Sequence, residues 1–95
     1  MRVRLSRIAR EDIQKISDRI AQDDPERARS VAVKIRDAAT AIGPAPFRCS
    51  PVIGSRIPSI RKKSVPPYVL LFEVAANEVL ILRVAHERSD WASLV

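Results

Sequence analysis

Ionisable side chains are concentrated directly after the last apolar run of the chain. A stretch of eight positions contains Arg83, His86, Glu87, Arg88 and Asp90. Histidine titrates near neutral pH, so His86 among these charges could move a proton. The alternative is a histidine that is hydrogen-bonded at a strand end, which is the commoner arrangement. No Ser/His/Asp order, Cys/His pair or metal-ligand spacing accompanies His86, so the sequence predicts no nucleophile and no metal site.

Arg83 stands within an otherwise apolar strand, and two interpretations of it remain open. Its guanidinium could lie on an open sheet face and bind a phosphate or a partner's carboxylate. It could instead form a structural pair with Glu73 or Asp90, because charges carried by the strands of a small sheet are often simply paired.

A second basic group, Arg61-Lys62-Lys63, lies in the one clearly positive region of the chain. Residues 43–72 contain these three side chains, Arg48 and Arg56, and no Asp or Glu. The group could contact an anionic partner or form a solvated strand edge. Trp91 could stack on a nucleic-acid base or pack against the core.

Apolar periodicity predicts the elements that position these groups. They are a strand over Arg2–Leu5, helices over Arg7–Gln22 and Pro25–Ile42, and strands over Ile57–Val65, Tyr68–Val74 and Val79–Val84. Ser6 and Asp24 are predicted to cap the helices, and Gly43 to close the second one. The order β-α-α-β-β-β predicts a single α+β domain over residues 1–95, in which a helix hairpin packs on one face of a small antiparallel sheet.

Both faces of the predicted sheet are apolar over most of their length. Tyr68, Leu70, Phe72 and Val74 alternate with Val69, Leu71 and Glu73. Because a helix hairpin covers only one face, the second is expected to await a partner chain. The alternative is that the residues after the last strand and the long loop close it.

Composition restricts the environment and the class of partner. The 95 residues carry a net charge of +6, which favours anionic partners such as nucleic acid or acidic proteins. A single cysteine, Cys49, fits a reducing compartment, and the sequence contains no recognisable signal peptide or membrane-spanning run. We expect a cytoplasmic protein that needs no cofactor and makes no membrane contact.

The order of the elements and several local motifs resemble the ParE/RelE superfamily of bacterial type II toxin–antitoxin toxins. The similar stretches are RLSRIAREDIQKISDRIA, DPERARSVAVKI, YVLLFEV, VLILRVAH and the charged exit HERSD. The resemblance implies a toxin, associated with functions such as plasmid stabilisation, that a cognate antitoxin neutralises by folding onto exposed apolar grooves. It is the order and spacing of these motifs that make the match specific.

The two branches of this superfamily differ in target. RelE-like members cleave mRNA on the ribosome with basic residues and usually a tyrosine near the C-terminus, whereas ParE-like members inhibit DNA gyrase. Here Lys62 stands at one nuclease lysine position, but Ile60 and Val69 replace other basic positions, and Tyr68 is the only tyrosine. Each lost charge-stabilising group would cost a phosphodiester-cleaving site about 3 kcal/mol.

The resemblance therefore predicts a ParE-like gyrase inhibitor that acts by binding. The residues predicted to contact the target or the antitoxin are Arg61, Lys62, Lys63, Arg83, His86, Arg88, Asp90 and Trp91. The alternatives are a RelE-like mRNA endonuclease and a non-toxic basic module that binds nucleic acid.

Overall fold

Two helices and five strands build the domain, and the computed structural model describes residues 1–95. The elements are β1 (Arg2–Leu5), α1 (Arg7–Ala21), α2 (Pro25–Ile42), β2 (Ser50–Pro51), β3 (Arg61–Val65), β4 (Tyr68–Ala75) and β5 (Glu78–His86). Short 3-10 turns occupy Pro46–Arg48 and Trp91–Leu94. Both helices pack on one face of the sheet, which confirms the predicted two-layer α+β fold. Neither helix is long and apolar enough to cross a bilayer.

Side-chain caps start both helices at the predicted residues. The Ser6 hydroxyl accepts a hydrogen bond from the Ala9 N–H, and the Asp24 carboxylate accepts one from the Arg27 N–H, each at 3.0 Å. Each cap satisfies a backbone donor that the first helical turn leaves without an intrahelical partner. The two predicted caps are therefore confirmed.

The sheet is mixed, whereas the sequence predicted an antiparallel one. Its strand order is β1-β5-β4-β3-β2, and the β3, β4 and β5 pairings are antiparallel as expected. However, β1 runs parallel to β5, with Val3 opposite Val79 and Leu5 opposite Ile81. Parallel pairing needs a long connection, and the helix hairpin together with β2, β3 and β4 supplies it. The outer position of β1 agrees with its prediction as an edge strand.

The second predicted strand, Ile57–Val65, is shorter than expected. It was predicted from Ile57 but starts at Arg61, because Pro58 has no N–H for a ladder and Ser59 has a positive φ of 63°. Residues before it belong to a loop instead, where the Ile57 N–H donates to the Val95 carbonyl at 3.0 Å. The two-residue β2, which was not predicted, pairs with the start of β3.

A tight turn and a bulge shape the β4–β5 hairpin. Ala76 and Asn77 both have positive φ, at 49° and 65°, which matches the right-handed twist of the flanking strands. The turn was predicted from Asn77, and Ala76 shares its conformation. Between Ile81 and Arg83, β5 contains one extra residue, Leu82, relative to β4.

The bulge changes which side chains of β5 face the helices. Before it, Val79 and Ile81 lie in the core against α1 and α2; after it, Val84 returns to that core. Leu82 and Ala85 pack on the opposite face of the sheet. A strictly alternating strand would instead have placed Val84 on the opposite face with Leu82.

The second face of the sheet is closed by the chain itself. Ile60, Val69 and Leu71 are buried there together with Val95, and Trp91 packs against them. The Val95 carbonyl accepts hydrogen bonds from the Ser55 hydroxyl at 2.7 Å and from the Ile57 N–H at 3.0 Å, which hold this cover in place. The expectation of an open apolar face is therefore wrong, and the alternative, closure by the final residues and the long loop, describes the structure.

Gly43 follows the last residue of α2, but it does not adopt the left-handed conformation that its sequence position suggests. Its φ is −50°, an ordinary helical value. A Cβ built on Gly43 would lie 2.5 Å from the Met1 carbonyl oxygen and 3.2 Å from Val3 Cγ2. Glycine is required here because β1 and the residue before it pass directly against the end of the helix.

We expect the substitution Gly43→Ala to lower the free energy of unfolding by about 1–3 kcal/mol, because the backbone must shift to admit the methyl group. Urea denaturation followed by circular dichroism measures this change. Gln22→Ala is the matched control at the exposed end of α1 and should stay within about 0.5 kcal/mol of the parent. Equal stability of the two variants would contradict the close approach at Gly43.

Candidate functional site

The Asp12 carboxylate joins α1 to β5 through three hydrogen bonds. It accepts from Arg83 Nε at 2.9 Å, from Arg83 Nη2 at 3.1 Å and from the Val84 N–H at 2.9 Å. The Asp12 and Arg83 side chains are only 11% and 29% exposed. The hydrogen bond that Arg83 donates to the Asp12 carboxylate raises the pKa of the Arg83 guanidinium above its usual value. This is a two-pronged, charge-assisted contact, the strongest geometry for such a pair.

Arg83 is thus paired within the chain, but with neither partner considered from the sequence. Glu73 and Asp90 are not its partners, because the Arg83 guanidinium binds Asp12 on α1 instead. The sequence contained a signal for Asp12: it lies three residues after the buried Ala9 and directly before the buried Ile13. A carboxylate beside the apolar stripe of a helix needs a partner from the sheet that the stripe covers.

His86 lies at the end of β5 without a carboxylate to orient it. Its ring meets Tyr68 edge to face, with 5.7 Å between centroids and 80° between planes. Nδ1 accepts a hydrogen bond from the Arg88 N–H at 3.1 Å. Glu87, the nearest acid in sequence, instead accepts a hydrogen bond from the Ser64 hydroxyl. This arrangement corresponds to the hydrogen-bonded histidine at a strand end and not to a general base.

A cleft of about 610 Å³ opens beside His86, between α1, the start of α2 and the end of β5. Its ionisable lining residues are Lys15, Arg19, Arg27, Asp12, Asp23, Asp24, Tyr68 and His86. Asp12 is held by Arg83, and Asp24 caps α2, so both carboxylates are already engaged. The cleft is not evident from the sequence, because the cations that line it lie on the two helices, far from His86 along the chain. Such a mixed lining suits a polypeptide better than a uniformly charged ligand.

Lys62 and Trp91 come together on the second face of the sheet. Lys62 Nζ lies 5.2 Å from the centroid of the indole ring, within the range of a cation–π contact. Trp91 also packs on the buried cluster that includes Val69 and Leu71. Both predicted roles of the tryptophan remain compatible with this position, since one ring face packs inward while the side chain stays partly exposed.

The other two members of the basic group have different surroundings. Arg61 donates to the Cys49 carbonyl oxygen at 2.6 Å and lies 5.2 Å from the centroid of the Phe47 ring, so it braces the loop after α2. Lys63 lines a groove that also includes Arg48. The alternation of β3 places Arg61 and Lys63 on the face of Val65 and Lys62 on the face of Ile60.

Arg88 and Asp90 lie in the exposed segment that follows β5. The Asp90 carbonyl accepts hydrogen bonds from the N–H and the hydroxyl of Ser93, at 3.2 and 2.8 Å. Both side chains are exposed. The eight predicted site residues therefore do not converge on one point: Lys62 and Trp91 meet on the second face, His86, Arg88 and Asp90 occupy the exit of β5, and Arg83 faces α1.

The exposed charges and aromatic rings of this region can supply recognition chemistry. No three His, Cys, Asp or Glu side chains are grouped so that they could hold a metal ion. His86 has no nucleophile within its hydrogen-bond contacts, and its Nδ1 is engaged by a backbone N–H. Exposed charge beside partly buried aromatic rings is typical of binding surfaces.

Comparisons with known proteins identify a family. A family model described as the ParE toxin of type II toxin–antitoxin system, parDE, matches residues 3–91. The chain is similar to a solved chain of the chromosomal ParDE system from P. aeruginosa, with a TM-score of 0.79 and 22% identity over 90% of this chain and 95% of that one. It is also similar to a chain of the RelBE2 toxin–antitoxin complex from Mycobacterium tuberculosis, with a TM-score of 0.68 and 23% identity over 90% of this chain and 88% of that one.

These matches confirm the predicted RelE/ParE-like fold. A comparison with curated protein sequences gives no match.

The Asp12–Arg83 contact can be measured by a double-mutant cycle. We expect Asp12→Ala to lower the free energy of unfolding by about 2–3 kcal/mol, because it leaves Arg83 and the Val84 N–H without their partner. The coupling energy with Arg83→Ala should be about 1–2 kcal/mol by urea denaturation.

The exposed pair Arg7–Glu11, with 3.9 Å between its charged atoms, is the matched control. The same cycle on that pair should give a coupling below about 0.5 kcal/mol. Equal coupling energies for the two pairs would show that the shielding of Asp12 by α1 and β5 does not strengthen its interaction with Arg83.

Proposed function

Because this chain belongs to the family of ParE toxins of type II toxin–antitoxin systems, we propose that it acts by binding to DNA gyrase and inhibiting it. The same proposal includes a cognate antitoxin that neutralises the toxin, and the cytoplasm, where gyrase acts, as the location of both. The family match spans nearly the whole domain, so the proposal concerns the fold as a unit and not one isolated motif.

One observation favours inhibition by binding over RNA cleavage. The resemblance places basic nuclease positions at Ile60 and Val69, and these side chains are 1% and 3% exposed. They lie in an apolar cluster with Val95, so these two positions offer a phosphate group neither charge nor hydrogen bonds. Lys62 alone cannot supply the several cations that a phosphodiester transition state requires.

An antitoxin partner is supported by the nature of the similar structures. Both belong to toxin–antitoxin systems, one to ParDE and one to RelBE2. The net charge of +6 favours an acidic partner segment, and the cleft beside His86 offers charged side chains around an apolar floor that includes Ile16 and Val84. A disordered segment that folds on binding can cover such a surface.

The segment after β5 is the proposed target-facing surface. His86, Arg88 and Asp90 are exposed, and a rigid hairpin positions the segment at its start. Arg83 acts differently in this proposal: by binding Asp12, it fixes the direction in which the segment leaves the sheet.

Induced expression in a bacterial host tests the proposed function. We expect growth to stop, and co-expression of the adjacent open reading frame to restore it. With purified protein, gyrase supercoiling of relaxed plasmid should be inhibited in proportion to the toxin added, since a binding inhibitor acts stoichiometrically.

Mapping mRNA ends in the same cells provides the decisive comparison. Cleavage at ribosomal A sites with unaffected supercoiling would overturn the gyrase proposal in favour of the nuclease. Normal growth with soluble, folded protein would contradict toxicity itself.

The target-facing segment is tested by charge reversal at Arg88. We expect Arg88→Glu to weaken gyrase inhibition at least about tenfold, because a charge at an interface centre can contribute 2 kcal/mol or more. The thermal midpoint should not change, since the Arg88 side chain is exposed. Arg36→Glu on the exposed face of α2 makes the same change in net charge, and its inhibition should match the parent. If Arg88→Glu and Arg36→Glu behave alike, the segment after β5 is not the target-facing surface.

A further inference from the structure

A groove at the outer edge of the sheet carries positive charge without any compensating acid. The groove, about 460 Å³ in volume, lies between the last turn of α2, the loop that follows it and β3. Its charged lining residues are Arg48, Lys62 and Lys63, and no carboxylate lines it. Two hydroxyl groups, from Ser50 and Ser64, complete its polar lining.

None of these three cations is neutralised within the chain. The ion pairs of the structure join Arg4 to Glu78, Arg7 to Glu11 and Arg83 to Asp12, all away from the groove. Like charges held together by a rigid strand repel each other, and an anion bound between them relieves that repulsion. The groove therefore favours an anionic ligand more strongly than the net charge of the chain alone would.

Separate positions of the fold supply the cations of the groove. Successive residues of β3 point to opposite faces, so Lys62 and Lys63 lie on either side of the same strand. Arg48 comes from the 3-10 turn that precedes β2. Several charges in one groove suit a ligand with repeated negative charges better than a single small anion.

An aromatic ring continues the groove on the second face. Lys62 lines both the basic groove and a neighbouring pocket that contains Trp91, and its Nζ lies 5.2 Å from the indole centroid. Glu87 also lines that pocket, but it accepts a hydrogen bond from Ser64. A partly exposed indole beside a run of cations is the combination that holds an unpaired base next to its phosphate.

We propose that this groove binds the phosphodiester backbone of nucleic acid, with Trp91 stacking on a base of a single-stranded segment. An acidic peptide is less well matched, because the apolar lining of the groove comes from small or buried side chains such as Ala41 and Ile42 and offers no pocket for an anchor. The proposal concerns binding without cleavage and does not depend on gyrase inhibition.

Fluorescence anisotropy with a labelled oligonucleotide of about 25 residues tests the proposal through its salt dependence. Single-stranded DNA, single-stranded RNA and duplex DNA of the same sequence identify which nucleic acid supplies the backbone. The groove variant combines Arg48→Gln, Lys62→Gln and Lys63→Gln. The matched control combines Arg19→Gln, Lys15→Gln and Lys34→Gln on the helices, and so removes the same number and types of cation.

We expect the groove variant to bind single strands at least about tenfold more weakly and to lower the slope of log K against log salt by about two units. The helix variant should change affinity less than about threefold. Because Trp91 is the only tryptophan, the tryptophan fluorescence of the protein reports on this side chain alone. We expect the oligonucleotide to quench that fluorescence by stacking, and poly-glutamate at equal charge to leave it unchanged. Circular dichroism of each variant checks that the fold is intact.

Three results would overturn the proposal. Equal losses in the two variants would show that only net charge matters, and the absence of binding by the parent at low salt would remove the site. In the third result, poly-glutamate at equal charge displaces the oligonucleotide without changing the Trp91 fluorescence. This result would assign the groove to an acidic polypeptide. Because toxicity and supercoiling are measured separately, any of these results leaves the gyrase proposal standing.

Discussion

The orientation of the helix layer on the sheet depends on the hydrogen bonds that α1 and its cap make to the backbone at the exposed edge of β5. The first strand covers only the first half of β5, up to Ile81. Beyond that point the edge would present unpaired backbone groups to water or to another chain. Here α1 takes the place of a strand: the Ser6 N–H and hydroxyl donate to the Ile81 and Leu82 carbonyls, each at 2.9 Å, and the Asp12 carboxylate accepts from the Val84 N–H. The helix that packs on the sheet also completes its hydrogen bonding, and the cleft beside His86 results from this contact.

Local chemistry made part of this fold predictable. Ser6 and Asp24 act through residues three positions away, so their caps could be identified from the sequence, and the alternation of β4 separated its two faces correctly. The partner of Arg83 could not be identified, because the acid that meets it lies 71 positions earlier, on α1. The closure of the second face was equally non-local, since it depends on where Val95 packs after the chain has left β5.

For the candidate site, the residue types were informative but their grouping was not. Basic side chains adjacent in sequence on β3 have three different roles: Arg61 braces a loop, Lys62 contacts Trp91, and Lys63 lines the edge groove. A strand directs successive side chains to opposite faces, so adjacency in sequence alone did not predict which of these cations share a groove. Because Ile60 and Val69 are buried, the sheet presents an apolar cluster on that face.

The parallel pairing of β1 with β5 also sets a limit on when the domain can be completed during its synthesis. Residues 2–5 pair with residues 78–81, so the first strand has no sheet partner until nearly the whole chain has been translated. Contacts of such sequence separation form late, whereas the β4–β5 hairpin is local and can form early. The surface around β1 and β5 is therefore among the last parts of the domain to form.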